Sequence, residues 1–229
     1  IVINKKAGLV VHPGAGNYSG TLLIGVINKI NLTSFGSIPG IVHRLDKETS
    51  GVIIVAKHYK SHSFISKQFE ERSVKKEYHA LVWGNVNNAG IIEGNIVRNF
   101  KDRKSFILTN GPGRYSKTSY KIIDRMGPIS YVKLKPRTGR THQIRVHMKS
   151  IGHPILSDVK YSGGKSMIKS FHVKHTNILK RVIKAVDRVA LHAKSIEITH
   201  PSTKEKIKFS SPLPNDIEGA IHLLKDYES

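Results

Sequence analysis

The residues His-Arg-Leu-Asp-Lys-Glu-Thr-Ser-Gly occupy positions 43–51, and an apolar, β-branched run continues from them at 51–57. This order predicts a polar loop that leads into a buried strand. Within the loop, Asp46 follows Arg44 by two positions. A nearby guanidinium favours the ionised form of a carboxyl group and can hold it in one orientation. Because most exposed Arg–Asp pairs are merely solvated, these two residues alone predict either a catalytic carboxylate or a surface ion pair.

Strands outnumber helices along the rest of the chain. Helical spacing of apolar residues appears at 22–27, 61–71 and 217–224, with Ser61 and Asn215 as expected N-caps. Alternating or β-branched segments predict strands at 1–4, 51–57, 77–83, 118–123, 131–135, 195–199 and 204–209. Because no regular βαβ alternation appears, we expect an α+β protein with a largely antiparallel sheet.

The composition favours a polyanionic partner. Lys and Arg number 38 against 16 Asp and Glu, so the net charge of the 229 residues is +22. Such an excess indicates nucleic acid before a membrane. The chain has no cysteine, which excludes a disulfide framework, a thiol nucleophile and a Cys-based zinc site. No apolar run approaches the roughly 20 residues that span a bilayer, and no signal-peptide pattern opens the chain, so a cytoplasmic protein is expected.

Two basic segments stand out. The first, 99–117, includes Lys104 and Arg114 and contains Gly-Pro-Gly at 111–113, which predicts an exposed loop or hairpin that tracks phosphates. The second, 165–188, interleaves basic and apolar residues, and its latter half predicts an amphipathic helix. For both segments a solvated charged face is as good an interpretation as a nucleic-acid contact.

The string at 43–51 resembles the HRLDxxTSG signature of the pseudouridine synthases, in the branch that modifies ribosomal RNA and some transfer RNA. Other strings resemble the family's motifs in the same order, from about the first residue to the region of position 214. They lie at 10–14, 20–22, 76–80, 138–147, 152–155, 158–161, 191–193 and 200–201.

This resemblance implies catalytic roles for three residues. Asp46 matches the catalytic carboxylate, Tyr78 matches a tyrosine that stacks on uracil and is a candidate for the proton step, and Arg145 matches the arginine that pairs with the catalytic Asp. The reaction breaks the N1–C1′ bond of uridine and joins C5 to C1′, so no cofactor or metal is expected.

The resemblance also implies an RNA substrate whose target uridine is flipped out of its stack. Phosphate contacts then position the RNA. We expect these contacts from basic side chains around the site, namely His43, Arg44, Lys104, Arg114 and Arg140.

The family fold implies one catalytic domain over 1–229, with a mixed sheet, flanking helices and a central cleft. The N-terminal RNA-binding domain that relatives carry is expected to be absent from this chain. The string at 12–17 resembles the type D branch, which acts on a stem-loop of large-subunit ribosomal RNA. The expected partner is therefore this RNA, free or in an assembling subunit, bound by a monomer.

Three alternatives remain. A type C or type A enzyme would act on other ribosomal or transfer RNA uridines. A non-catalytic RNA-binding protein of ribosome assembly would not need Asp46, Tyr78 and Arg145 together. A metal-dependent nuclease would need clustered carboxylates, which the 16 scattered acids do not provide.

Overall fold

The computed structural model of the protein describes residues 1–14, 16–29 and 40–228. Ala15, within the motif at 12–17, lies outside them. The chain divides into two compact units. The first unit comprises residues 1–76 and 193–212, and the second unit comprises residues 77–192 and 213–229. A single domain over 1–229 stays a prediction.

Nine strands and five α-helices lie within the described residues. The strands are β1 (Val2–Lys5), β2 (Ser50–Ile54), β3 (Lys75–Trp83), β4 (Ala89–Arg98), β5 (Phe106–Thr109), β6 (Arg114–Met126), β7 (Ile129–Pro136), β8 (Leu191–Thr199) and β9 (Lys206–Ser210). The helices are α1 (Leu22–Lys29), α2 (Tyr59–Glu70), α3 (Gln143–Ser150), α4 (Thr176–Ala185) and α5 (Asn215–Glu228). Among them, none is both long and apolar enough to cross a bilayer.

In the first unit, β1 pairs antiparallel with β2, and β9 pairs antiparallel with β8. Every residue of β2 is buried, and its side chains pack with apolar residues of α2, β8 and β9. Gly51 is the second residue of this strand and has φ +111°, and a Cβ there would collide with the carbonyl oxygen of Ala193. The backbone therefore requires glycine at the end of the motif.

In the second unit, five strands pair antiparallel in the order β3-β7-β6-β4-β5. Their apolar side chains form a large core with α3, α4 and α5. Trp83 of β3 is fully buried within it. The indole N–H of Trp83 donates to the Gly163 carbonyl at 2.8 Å, and its ring stacks on Phe171 with centroids 5.4 Å apart.

The α+β class and the mostly antiparallel pairing are confirmed. Each expected strand and helix overlaps an observed one, and α4 is the amphipathic helix expected within 165–188. The sequence did not predict β4, β5 or α3. Two glycines interrupt the apolar pattern of β4. The Tyr120 ring lies over Gly90, where a Cβ would come within 2.6 Å of the hydroxyl.

Both expected N-caps are wrong. Ser61 lies inside α2, which His58 precedes in extended conformation, because the helix begins at Tyr59. In α5, the Glu218 N–H donates to the Pro214 carbonyl at 3.0 Å, which puts the cap one residue before Asn215.

Candidate active site

Asp46 lies in the first unit, in a loop that ends at β2. Leu45 is 4% exposed and anchors the loop, while the neighbouring Asp46 is partly exposed. The Thr49 N–H donates to the Asp46 carbonyl at 3.1 Å and closes a turn. Because Leu45 and Thr49 are buried on either side, the turn fixes the backbone at Asp46, and this residue remains partly exposed.

The buried Lys5 side chain supports this turn. The sequence did not identify Lys5 as a site residue. Its side chain is 1% exposed, and its ammonium donates to the carbonyls of Lys6, Leu9 and Lys47 at 2.9, 2.8 and 3.0 Å. Three acceptors match the three N–H bonds of an ammonium, which makes its burial tolerable. Lys5 thereby ties the residue after Asp46 to the segment that follows β1.

The two residues expected to contact RNA beside Asp46 differ in their surroundings. Arg44 is exposed. His43 accepts a hydrogen bond from the Ile54 N–H through Nε2 at 3.0 Å and stacks on Phe69. Burial, and then the nearby Lys76 ammonium, lower the pKa of His43 to about 3. His43 is therefore neutral at physiological pH and offers phosphate no positive charge.

Tyr78 lies in the second unit on β3, opposite Leu134 of β7. It is half-buried and packs against the core. Its neighbours on β3 point to the opposite face of the sheet, where the His79 ring is hydrogen-bonded to the Tyr131 hydroxyl. Burial raises the pKa of Tyr131 to about 12, so that hydroxyl keeps its proton. The pairing of β3 with β7 and the contact with the core set the position of Tyr78.

Arg145 lies on α3 and is 7% exposed. Its guanidinium donates to both carboxylate oxygens of Asp158, from Nε to Oδ2 at 2.7 Å and from Nη2 to Oδ1 at 2.9 Å. The guanidinium also lies over the Tyr161 ring, 4.9 Å from its centroid. This bidentate geometry is the strong form of an Arg–carboxylate contact and fixes the plane of the guanidinium.

Tyr161 joins Arg145 to two other elements, because its ring lies under the guanidinium and its hydroxyl is hydrogen-bonded elsewhere. The hydroxyl accepts a hydrogen bond from the Phe106 N–H of β5 at 3.1 Å and is 2.7 Å from Nδ1 of His142. The donor in this second hydrogen bond is set by the tautomer of His142. The Arg145 side, the start of α3 and β5 therefore share one hydrogen-bonded centre.

The other predicted basic residues of the second unit are near these elements. Arg140 is partly exposed, and its Nε donates to the Tyr115 carbonyl at 3.0 Å. Gln143 accepts from the Arg140 N–H at 3.0 Å and donates to the Lys117 carbonyl at 3.1 Å, which fixes the loop before α3. Lys104 lies in the loop before β5, and Arg114 is the first residue of β6. Both side chains are exposed.

The structure thus divides the predicted site residues between the units. Asp46, Arg44 and His43 belong to the first unit, whereas Tyr78, Arg145, Arg140, Lys104 and Arg114 belong to the second. The pairing of Arg145 with Asp46 stays a prediction. The sequence had not assigned a role to Asp158 or Tyr161, although both lie in a string that it had identified.

No group of three or more His, Asp or Glu side chains that could hold a metal ion occurs in the described ranges.

Comparisons with known proteins agree with the motifs. A family model described as RNA pseudouridylate synthase matches residues 1–150. Curated relatives named ribosomal large subunit pseudouridine synthase D include those of Blochmanniella floridana, 38% identical over 99% of this chain and 70% of the relative, and Neisseria meningitidis serogroup B, 39% identical over 98% and 59%. The Pseudomonas aeruginosa protein of that name is 37% identical over 98% of this chain and 69% of its own length.

Two solved human structures have the same fold. RNA Pseudouridylate Synthase Domain Containing 4 aligns with a TM-score of 0.76 and 26% identity, covering 98% of this chain and 89% of the human chain. RNA Pseudouridylate Synthase Domain Containing 1 aligns with a TM-score of 0.67 and 25% identity, covering 98% of this chain and 90% of the human chain.

Proposed function

The chain belongs to the RNA pseudouridylate synthase family, and we propose that it converts uridines of large-subunit ribosomal RNA into pseudouridine. One observation carries the proposal: the family match at residues 1–150 contains Asp46, Tyr78 and Arg145. The names of the curated relatives supply the substrate class. These relatives are longer than this chain, which spans from 59% to 70% of their length.

In this proposal Asp46 acts at C1′ of a uridine that has left its stack. The N1–C1′ bond breaks, the uracil turns over, and C5 bonds to C1′ before it loses its proton. The proton lost from C5 is balanced by the one that N1 gains, so no other reactant is required. The turn closed by Thr49 and supported by Lys5 would keep Asp46 in place while these bonds break and form.

Tyr78 and Arg145 complete the site in this proposal. The Tyr78 ring would stack on uracil, and its hydroxyl is the candidate for the proton step. Arg145 would pair with Asp46 while Asp158 holds its guanidinium in one plane. Because an arginine stays protonated, it would keep the carboxylate ionised after the site closes over the base.

Basic side chains would position the RNA. Arg44, Lys104, Arg114 and Arg140 are the residues that we propose contact phosphate, since each is exposed or partly exposed. Phosphate contacts fix register but carry no sequence information, so the choice of uridine would depend on which loop lets its base leave the stack. We further propose that the protein acts as a cytoplasmic monomer.

Asp46→Ala and Asp46→Asn test the proposal. Both variants should lose pseudouridine formation in ribosomal RNA transcripts, measured by chemical probing, yet bind the RNA with nearly unchanged affinity. Asp226→Asn is the matched control, since it makes the same chemical change at an exposed position of α5. A rate in Asp46→Ala within about tenfold of wild type would contradict the role of Asp46, since the loss of a group essential to the chemical step costs far more.

Pseudouridine maps of ribosomal RNA from cells that lack the gene would identify the target. Sites lost from the large subunit support the proposal. Loss at transfer RNA sites would favour the type A branch, and an unchanged map with altered subunit assembly would favour a binding protein.

A further inference from the structure

Phe100 has the most exposed large apolar side chain in the described residues. Its exposed fraction is 93%, against 82% for Val159 and 77% for Tyr18. It lies in the loop between β4 and β5, which we call the Phe100 loop (residues 99–105). Single exposed apolar residues are common on protein surfaces, so exposure alone does not indicate function.

The backbone of the Phe100 loop is closed by its own hydrogen bonds. The Asn99 N–H donates to the Ser105 carbonyl at 3.0 Å, and the Ser105 N–H donates to the Asp102 carbonyl at 2.9 Å. The Asn99 side chain contacts the loop on both sides, since its amide donates to the Ser105 hydroxyl at 3.2 Å and its oxygen accepts from the Lys101 N–H at 3.0 Å. The loop therefore has a defined shape that holds Phe100 outward.

The surface around Phe100 is cationic. Lys101, Arg103 and Lys104 are exposed on the same loop, and the Lys160 ammonium contacts the Lys104 carbonyl at 3.3 Å. The single acid of the loop, Asp102, is used internally: its carboxylate accepts the Lys104 N–H at 3.0 Å, and this bond lowers the pKa of Asp102. An exposed aromatic ring in a loop that also carries three exposed cations is suited to a ligand that combines flat bases with phosphates.

The end of the loop is tied to the Arg145 side. Phe106 follows the loop directly, and its N–H donates to the Tyr161 hydroxyl at 3.1 Å. The Tyr161 ring in turn lies under the Arg145 guanidinium. A ligand held by the Phe100 loop is thus held by the same packed structure that orients Arg145.

We propose that Phe100 stacks on an unpaired base of the RNA, while Lys101, Arg103 and Lys104 bind the phosphates beside that base. The inference rests on the proposed function for the identity of the ligand. Unpaired bases are the sites at which proteins stack aromatic rings on RNA, whereas the bases of a continuous duplex are already stacked. This contact would supply the base recognition that a purely basic hairpin lacks.

Equilibrium binding tests the inference without depending on isomerisation. The probes are an RNA hairpin with 2-aminopurine at successive loop positions and a fully paired RNA of the same length. Phe100→Ala should weaken hairpin binding by about 5- to 160-fold, the range found for the loss of one base–aromatic stack. It should also abolish a 2-aminopurine fluorescence change at one loop position, and Phe100→Trp should retain both.

The controls separate stacking from charge and from folding. Ile91→Ala removes an exposed apolar side chain at the other end of β4 and should change nothing. Lys101→Gln should lower the salt dependence of log K by about one, as expected for one phosphate contact, whereas Phe100→Ala should leave that slope unchanged. Near-normal hairpin binding by Phe100→Ala, or an equal loss on the fully paired RNA, would overturn the inference. Loss of isomerisation by Asp46→Ala with intact RNA binding would support the proposed function. It would leave the result of the Phe100 binding test unchanged.

Discussion

At the scale of single residues, the site depends on side chains that stand behind the predicted catalytic ones. Asp158 is inaccessible to solvent and receives two hydrogen bonds from Arg145. Its carboxylate also accepts the Tyr161 N–H at 3.3 Å. Removal of one partner from a buried ion pair leaves an uncompensated charge, which is strongly destabilising.

Asp158→Asn should therefore lower the free energy of unfolding by roughly 3–5 kcal/mol, the range for a broken buried pair. Thermal or denaturant melts measure the change. Asp216→Asn is the matched control: Arg188 contacts Asp216 through two nitrogens as well, but the Asp216 side chain is 29% exposed against 1% for Asp158. Equal losses in the two variants would show that burial of the carboxylate does not decide the cost.

The sequence motifs identified Asp46, Tyr78 and Arg145 as candidates, but they did not reveal how these residues are supported. The supports come from distant positions that meet only in the fold. Lys5 donates to Lys47, 42 residues further along the chain, and Asp158 contacts Arg145 across 13 residues. The motif strings at 138–147 and 158–161 contain Arg145 and Asp158, but local patterns carry no signal that two such residues pair in the fold.

At the scale of elements, β2 shows how the motif also serves the fold. The Thr-Ser-Gly end of the motif is buried, and Gly51 lies against the Ala193 backbone with a positive φ. β2 therefore tolerates no side chain at position 51.

Gly51→Ala should lower the free energy of unfolding by at least about 2 kcal/mol, since a strained backbone and a collision with Ala193 act together. Melts of purified variants check this. Gly219→Ala is the control of opposite sign, because Gly219 lies within α5 with nothing near its Cβ position. It should raise stability by about 0.5–1 kcal/mol. A tolerated Gly51→Ala would mean that β2 can shift away from Ala193.

Elements with a regular apolar pattern were predicted, and those without one were missed. The Gly-Val-Ile-Ile run before Val55 is unmistakable, whereas β4 carries Gly90 and Gly94 and β5 has only four residues. α3 was missed because its residues were interpreted as a motif and because His142, before it, has the left-handed φ of +55° that gives no capping pattern. Tertiary contacts, such as the Tyr120 ring over Gly90, decide these segments.

At the scale of the whole molecule, two histidines make stability sensitive to acid. Burial lowers the pKa of His43 to about 3 and that of His147 to about 4, against 6.5 for an exposed histidine. His147 is fully buried and its Nε2 is 2.8 Å from the Ser116 hydroxyl. Ser116 donates its proton to the Gly94 carbonyl at 2.8 Å, so Nε2 of His147 carries a proton. Because the pKa of His147 is about 4, the ring is neutral at physiological pH.

The free energy of unfolding should be highest above pH 6.5 and fall as the pH drops toward 4. In that window the unfolded chain binds protons that the folded histidines refuse, so each proton favours unfolding. His147 alone should contribute a loss of roughly 1.5 kcal/mol between pH 6.5 and pH 5. His147→Gln should flatten the slope of stability against pH by this share. Parallel slopes for wild type and His147→Gln would show that folding does not lower the pKa of His147.

The burial of Trp83 has a spectroscopic consequence. Trp83 is the single tryptophan of the chain, so intrinsic emission at long excitation wavelength comes from one known position in the β3 strand, five residues from Tyr78. That emission therefore reports the unfolding of the second unit and not that of the first. A fluorophore attached near Tyr18, in the first unit, would provide the second colour. Coincidence or separation of the two signals during denaturation would then reveal whether the carboxylate-bearing and arginine-bearing halves of the chain melt as one cooperative body.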